Sequence, residues 1–460
     1  MILKNSPVPG FVVAGTHSSV GKTSVTLALL RLLRNKRVPV QPFKAGPDYI
    51  DPGHHKQAAG VPSYNLDSWM CTRTYLKNLF ADVMQPGSLA VVEGVMGLFD
   101  GAYPTNDRGT TADIAKLFNL PVMLVIDGSQ MARSAAALVD GFTKFDPDLK
   151  FLGVIANRVS SPKHANLIKA ALRYHTDIPY LGNIPTNPSL SISERHLGLH
   201  QGLEQTDQRY NDWAEHIDKH IDIKKLLRKT GFKKEIKTTV TTSLKRWKKN
   251  STRTFKVGIA RDEAFQFCYQ DTLDLIKHHS GSISFFSPLK DKKLPEDLDW
   301  LYFPGGYPEL FAKKLSKNSK IIKCIQEFAK TRGVLAECGG LMYTGKAIID
   351  SNGVKHPILG LLNLTTSMKP SGLTIGYRDL KQVQSKLPTK IIKLKGHEFH
   401  FSNFKSNREP PVFSQKTRKN CEPITDGYIK NRTLALYSHI YWGSSPETFR
   451  ALVEWMRGTH

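Results

Sequence analysis

The stretch Phe11-Val-Val-Ala-Gly15-Thr-His-Ser-Ser-Val20-Gly-Lys-Thr23 decides how the first half of this chain is read. Phe11 to Val13 predict a buried strand, and the apolar run from Val25 to Leu33 predicts a helix. The loop between them has glycines at 15 and 21, which is the strand–loop–helix setting of a phosphate-binding loop. The glycines let the backbone turn its N–H groups toward an anion, and the helix N-terminus adds its positive end. On this reading Gly15, Thr16, Val20, Gly21, Lys22, Thr23 and Ser24 hold a nucleotide. Lys22 reaches the β/γ-phosphates and the Thr23 hydroxyl faces Mg²⁺. Five residues separate the two glycines, where the common loop has about four. The competing reading is a plain strand–turn–helix connection with a chance Gly-Lys-Thr.

Outward from this loop, strands are predicted at Val38–Phe43, Ser88–Val92, Pro121–Ile126, Phe151–Ala156 and Pro179–Ile184. Helical patterns at Ala112–Phe118, Ala132–Phe145 and His164–His175 alternate with them. Continuous apolar strands separated by helices predict an α/β fold, a doubly wound parallel sheet covered on both faces. Ligands in such sheets sit outside the carboxyl ends of the strands, so the polar residues there are the candidates. The second strand runs into Lys44-Ala-Gly-Pro-Asp48-Tyr-Ile-Asp51-Pro-Gly-His54, and the third into Glu93-Gly-Val-Met-Gly-Leu-Phe-Asp100. A carboxylate directly after a strand, opposite a phosphate loop, stands where a Mg²⁺ ligand is needed, which nominates Glu93 and Asp48 beside Thr23. Asp48, Asp51, Glu93 and Asp100 together exceed what one Mg²⁺ takes, so some of them must hold substrate or manage charge. Asp127 and Asn157-Arg158 end the next two predicted strands. Asn157 is a candidate to bond a purine edge, and equally a candidate turn residue. His54, His164 and His175 show no metal-ligand spacing.

With 460 residues the chain is too long for one ordinary core. At 40% hydrophobic and 23% charged, with no apolar run of membrane-spanning length, it is expected to be cytoplasmic. Five cysteines (71, 268, 324, 338 and 421) are few and lack the close pairing of a zinc site. The net charge of +25 owes much to Lys224–Lys256, with thirteen Lys/Arg and one acid, Glu235. That run reads as a basic linker, 224–254, between domains at 1–223 and 255–460. No nucleic-acid motif accompanies it, so neither nucleic acid nor membrane is an expected partner, while positive potential suits polycarboxylate and phosphate substrates.

The second half restarts with a strand at Phe255–Ala260, a helix at Tyr269–His278, and a strand at Trp300–Phe303 that runs into Pro304-Gly-Gly-Tyr-Pro-Glu309. Then comes Gly333-Val-Leu-Ala-Glu-Cys338-Gly-Gly-Leu-Met-Tyr343, the pattern of a nucleophile elbow. The glycines permit the sharp turn, and a helix N-terminus favours thiolate at Cys338. A cysteine nucleophile wants a histidine. His397, His400 and His439 are the candidates, and His439 is favoured because it alone lies at the end of a predicted strand, Thr433–Ser438. Gly305, Gly306 and Gly339 are placed to offer N–H groups as an oxyanion hole.

A phosphate loop with a Cys/His hydrolase suggests ammonia released from glutamine and delivered to a carboxylate that ATP has phosphorylated. At these motifs the chain resembles the cobyrinate a,c-diamide synthase family over essentially its whole length. The resemblance rests on the stretches already quoted and on Ala260-Arg-Asp-Glu-Ala-Phe265. The opening loop alone would equally suit dethiobiotin synthetase or a partition ATPase. The resemblance implies an N-terminal amidoligase domain, a C-terminal class I glutamine amidotransferase domain, ATP with Mg²⁺, and an acyl-phosphate intermediate. By matching motif, Cys338 is the glutaminase nucleophile, His439 activates it, and Lys44, Asp48, Asp51, Glu93 and Asp100 fall in the synthetase site. Relatives commonly carry a second histidine where this chain has Tyr441. A Cys/His dyad is expected, with the group orienting His439 left open. The motifs do not separate cobyrinate from hydrogenobyrinate or nickel-sirohydrochlorin, and they leave a homodimer open. A partition-type ATPase switch is the reading from a different class, and it leaves Cys338 and His439 without work.

Overall fold

The computed structural model describes residues 8–187, 206–233, 245–247, 254–370, 372–384, 387, 393–415 and 422–458, and the backbone alone of 194–195 and 198–199. It divides into two compact units, Met1–Lys248 and Lys249–His460. Cys421 and residues 234–244 and 248–253 of the basic run lie outside the described residues.

The first unit is built on strands β1 (Gly10–Gly15), β2 (Val40–Ala45), β3 (Tyr64–Leu66), β4 (Leu89–Glu93), β5 (Val122–Asp127), β6 (Phe151–Val159) and β7 (Tyr180–Pro185). They lie in the order β3-β2-β4-β1-β5-β6-β7, every neighbouring pair parallel. Helices α1 (Lys22–Asn35), α2 (Ile50–Ala59), α3 (Arg73–Val83), α4 (Thr111–Phe118), α5 (Ser134–Lys144), α6 (Pro162–His175), α7 (Asp207–Asp218) and α8 (Ile223–Lys229) accompany the sheet. A short ribbon pairs β8 (Glu194–Arg195) with β9 (Gly198–Leu199). The central strands are apolar along their length because both faces are covered: Phe11 to Ala14 and Val122 to Ile126 have no solvent exposure.

Helix α1 is buried almost all round, from Val25 to Leu33, more than one amphipathic stripe requires. Its outer side is covered by α7, through Tyr210, Trp213, Ala214 and Ile217 of the same core, and by the pairs Arg31–Asp207 (2.6 Å) and Lys36–Asp218 (2.9 Å). The basic run begins inside this core, since α8 buries Ile223 and Leu226.

The second unit carries β10 (Phe255–Ala260), α9 (Gln270–His278), β11 (Gly281–Phe286), β12 (Trp300–Phe303), α10 (Ala312–Lys317), α11 (Ser319–Phe328), β13 (Gly333–Glu337) and α12 (Gly339–Thr344). A small sheet joins β14 (Ala347–Ile349), β15 (Lys355–Pro357), β16 (Leu364–Ser367) and β19 (Asn403–Asn407). The remaining strands are β17 (Thr374–Gln382), β18 (Lys393–His400), β20 (Pro411–Gln415), β21 (Ile424–Lys430), β22 (Thr433–Leu436) and β23 (His439–Ile440), before the terminal α13 (Pro446–Arg457). The main sheet runs β11-β10-β12-β13-β22-β21-β20-β17-β18-β23. Its first five strands are parallel and the rest antiparallel.

Candidate active sites

In the first unit, β1 ends at Gly15 and α1 begins at Lys22, which leaves residues 16–21 as the loop. Gly21 adopts φ +100°, and a Cβ there would strike the Asn157 side chain, so only glycine fits. Asn157 Nδ2 donates to Val20 O at 2.9 Å, and Arg158 donates to Ser19 O at 2.7 Å and to Asp127 Oδ2 at 2.6 Å. Residues 127, 157 and 158 thus brace the loop from behind. One Nδ2–H of Asn157 is thus used on Val20, which leaves its second N–H and its carbonyl oxygen for a ligand. Val20 is buried, while Thr16, Thr23 and Ser24 are half-buried. Thr16 Oγ1 lies 2.9 Å from His17 Nδ1, and Lys22 Nζ donates to His17 O at 3.1 Å. Burial, with Lys44 adding repulsion, pushes Lys22 down to about 8.

Behind the loop the register of β2 on β4 pairs Lys44 with Glu93. Lys44 Nζ donates to Glu93 Oε1 (2.9 Å), Asp51 Oδ2 (2.5 Å) and Gly94 O (3.1 Å). Thr23 Oγ1 donates to the same Glu93 Oε1 at 2.7 Å, and His55 Nε2 lies 2.7 Å from Oε2. Burial alone would lower Lys44, but Asp51, Glu93 and Asp48 hold it well above its ordinary value. Burial pushes Asp51 well up, with Asp48 and Glu93 adding repulsion. Burial works the same way on Glu93, yet Lys44 and His55 hold it well below the carboxylate range. Of these two buried carboxylates, Glu93 is the one whose charge the surroundings favour. Asp48 Oδ1 accepts from the N–H groups of Ile50 and Asp51, opening α2, and its Oδ2 lies 3.8 Å from Lys44 Nζ. Asp100 is exposed, accepts from Gly97 N at 3.0 Å, and is felt by Lys22.

Among the described residues no group of three or more His, Cys, Asp or Glu is arranged to hold a metal alone. Mg²⁺ does not need one, since it takes one or two carboxylates and completes its shell with water and phosphate oxygens. The Thr23 hydroxyl and Glu93 carboxylate, 2.7 Å apart beside the loop, fit such a partial set.

In the second unit Cys338 stands between β13 and α12 with φ +48° and ψ −105°, a positive-φ conformation costly for a residue with a Cβ. Its N–H donates to Leu436 O at 2.7 Å, on the neighbouring strand β22, and its Sγ lies 3.9 Å from Phe399 O of β18. His439 follows β22 by three residues. A Cβ on Gly305 would stand 3.1 Å from both ring nitrogens of His439, and one on Gly339 would stand 3.0 Å from Gly306 N. Gly305 and Gly306 thus lie between the residue after the nucleophile and the imidazole. The structure brings together Cys338, Gly339, Gly305, Gly306 and His439 at the carboxyl ends of three adjacent parallel strands.

His397 is the register partner of His439, and its ring stacks on it at 5.3 Å and 20°. Tyr269 OH lies 3.3 Å from His397 Nδ1, and the Tyr269 ring packs against that of Tyr441 at 4.7 Å. His400 stacks on Tyr437 instead, at 4.0 Å. Burial pushes the His439 imidazole well below its ordinary value, with His397 and His400 adding to the shift. Burial also pushes the Cys338 thiol up, with Glu309 adding to it. This reverses the expectation of a favoured thiolate. The short helix α12 contributes a Gly339 N–H, which loses to desolvation.

A family model described as the CobQ/CobB/MinD/ParA nucleotide binding domain matches residues 11–199, and one described as a CobB/CobQ-like glutamine amidotransferase domain matches residues 256–447. The cobyrinate a,c-diamide synthase of Leptospira interrogans is 37% identical over 460 residues, covering 98% of this chain and 99% of that protein. The synthases of Listeria innocua and Salmonella typhimurium are each 38% identical, covering 95% of this chain and 96% of theirs. The chain belongs to the cobyrinate a,c-diamide synthase family. As a member of that family it is a glutamine-hydrolysing ligase, with a nucleotide-binding domain followed by an amidotransferase domain. Among the described residues no helix is long and apolar enough to cross a membrane.

Sequence reasoning missed His55, which holds the fully buried carboxylate of Glu93. The available signal was its position one helical turn after Asp51, which puts both on one face of α2. It also passed over Glu337, directly before the nucleophile, where a strand that is otherwise apolar turns acidic.

Proposed function

We propose that this chain amidates the a and c acetate carboxylates of cobyrinate, using ATP and glutamine, as a step in cobalamin biosynthesis. The observation that carries the reading is Cys338 on its positive-φ elbow beside Gly305, Gly306 and the His439 ring, in a chain whose other unit has a braced phosphate loop. Cys338 Sγ attacks the glutamine carboxamide carbon while its proton passes to His439. N–H groups at Gly305, Gly306 and Gly339 hold the developing oxyanion, and His439 returns the proton to the departing ammonia. Water then hydrolyses the thioester to glutamate. In the first unit the loop with Lys22 holds the ATP phosphates, and Lys44 and Asp51 line the substrate end with Asp48 and Asp100. A substrate carboxylate takes the γ-phosphoryl group, giving an acyl phosphate and ADP. Ammonia replaces phosphate on the acyl carbon. Thr23 and Glu93, with Asp48 at the margin, would hold Mg²⁺, which when bound would neutralise charge on the phosphates.

The test is amidation of cobyrinate, hydrogenobyrinate and nickel-sirohydrochlorin in parallel, with ATP and glutamine. Preference for cobyrinate is expected, and preference for either alternative would reassign the substrate. Cys338→Ala should abolish glutamine-dependent amidation and leave ammonia-dependent amidation intact.

A further inference from the structure

Glu337 is 2% exposed, and among the described residues no lysine or arginine forms an ion pair with its carboxylate. Both of its oxygens are nevertheless occupied. Oε2 accepts from Tyr302 OH at 2.8 Å, and Oε1 accepts from Trp442 Nε1 at 2.7 Å and more loosely from Ile440 N at 3.4 Å. Tyr302 belongs to β12, the strand that leads into Gly305-Gly306, and Ile440 and Trp442 flank the turn directly after His439. Glu337 itself is bonded to Cys338. One carboxylate therefore ties together the three chain segments that carry the nucleophile, the glycine pair and the imidazole.

A buried carboxylate without a cation is a poor way to stabilise a fold. Burial pushes this one up to about 7, and an apolar side chain of similar size would avoid that penalty. Its three donors come from β12 and from the segment around β23, so what the carboxylate supplies is relative placement. The imidazole gains most from this. His439 sits on a two-residue strand, which by itself has little to fix it.

We propose that Glu337 is a positioning residue for glutamine hydrolysis, holding the segment that carries His439 to the strand end that carries Cys338. This rests on the glutaminase reading of Cys338 and His439. Glu337 touches no reacting atom and acts through His439.

The test compares Glu337→Met, Glu337→Gln and Trp442→Phe in the full chain, following kcat and KM for glutamine hydrolysis. Methionine keeps the length and removes both acceptors. Glutamine keeps an oxygen for Trp442 Nε1–H and an amide that Tyr302 OH can accept from. Glu337→Met is expected to lower kcat by about 10- to 10²-fold with little change in KM, the signature of a misplaced group rather than lost binding. Glu337→Gln is expected to recover most of the rate, and Trp442→Phe to lose part of it. Wild-type kcat in Glu337→Met overturns the proposal, as do a loss confined to KM and a Glu337→Gln variant as slow as Glu337→Met. If thermal unfolding shows that Glu337→Met does not fold, Trp442→Phe decides, and wild-type kcat there overturns the proposal. Cys338→Ser separates the two levels. If it still hydrolyses glutamine, the glutaminase reading fails and the positioning proposal falls with it. Failure of the outcomes expected for the Glu337 and Trp442 variants alone overturns the positioning and leaves that reading standing.

Discussion

Lys44 and Glu93 face each other across adjacent parallel strands with Nζ and Oε1 2.9 Å apart, and the Thr23 hydroxyl reaches the same carboxylate oxygen. The pair sits where the phosphate loop meets the cluster of acids, so Glu93 serves three neighbours at once. Glu93→Gln would leave Lys44 facing Asp51, with Asp48 more distant at 3.8 Å, and remove the charge that His55 meets. Breaking a buried pair on one side costs about 3–5 kcal/mol, and the lower end applies here because Asp51 remains. The expected outcome is a less stable first unit in denaturant and loss of ammonia-dependent amidation, with glutamine hydrolysis unchanged. Amidation at the wild-type rate would refute the role given to Glu93.

Lys22 makes a prediction about pH. Its value near 8, against an ordinary 10.5, means that the unfolded chain binds this proton more tightly than the ligand-free fold. From this group, stability therefore rises as pH climbs from about 8 to 10.5. Nucleotide binding runs the other way. Phosphate favours the charged lysine, so ADP affinity should fall above pH 8 and binding there should take up a proton. Calorimetry in buffers of different ionisation enthalpy measures the uptake. Lys22→Arg, which stays charged, should show none. Affinity that is flat from about pH 7 to pH 9 would count against the assignment.

The central parallel strands of each unit were legible because they are apolar on both faces. Val91 and Val92 have no exposure, and the predicted strand at Ser88–Val92 lies within a residue of the observed Leu89–Glu93. The parallel edge strands β3 and β11 were not predicted, and β11 is largely half-exposed. Helix α2 was not legible, since Pro52 and Gly53 lie inside it and its start depends on the Asp48 carboxylate accepting from Ile50 N. His55 was lost with it. The antiparallel strand β17 escaped because its buried residues are isolated among polar, half-exposed ones. Only Arg378 and Leu380 are buried in it. The site in the second unit could be read from Cys338 and its glycines. The stacking of His397 on His439 comes from a register that no local pattern encodes.

The thiol and imidazole of the second unit are shifted in opposite directions, Cys338 up and His439 down. The resting pair is then neutral thiol and neutral imidazole, and the proton moves only as sulfur attacks. Alkylation of Cys338 by iodoacetamide, followed on the Cys338 peptide by mass spectrometry, should keep rising with pH beyond the ordinary thiol value of 9.0. A plateau well below that value would reveal a preformed thiolate and contradict the neutral pair. Since His439 stays neutral below 6.5, hydrolysis should show no acid limb from this ring at that pH.

Asp82, on α3, shows where part of the basic run's charge goes. Its carboxylate accepts from Lys245 N at 2.8 Å and Arg246 N at 3.0 Å, and lies 3.7 Å from the Arg246 guanidinium, with both side chains 1% exposed. The guanidinium stacks 4.3 Å above the Trp247 ring, so Arg246 is spent inside the first unit and is not presented to a polyanion. Asp82→Ala leaves two backbone N–H groups without their acceptor and strands a buried cation, which should cost about 3–5 kcal/mol. Asp82→Asn keeps an acceptor and should cost less. Denaturant titration followed by Trp fluorescence reads the difference. A transition unmoved by Asp82→Ala would mean that residues 245–247 do not contribute to this core.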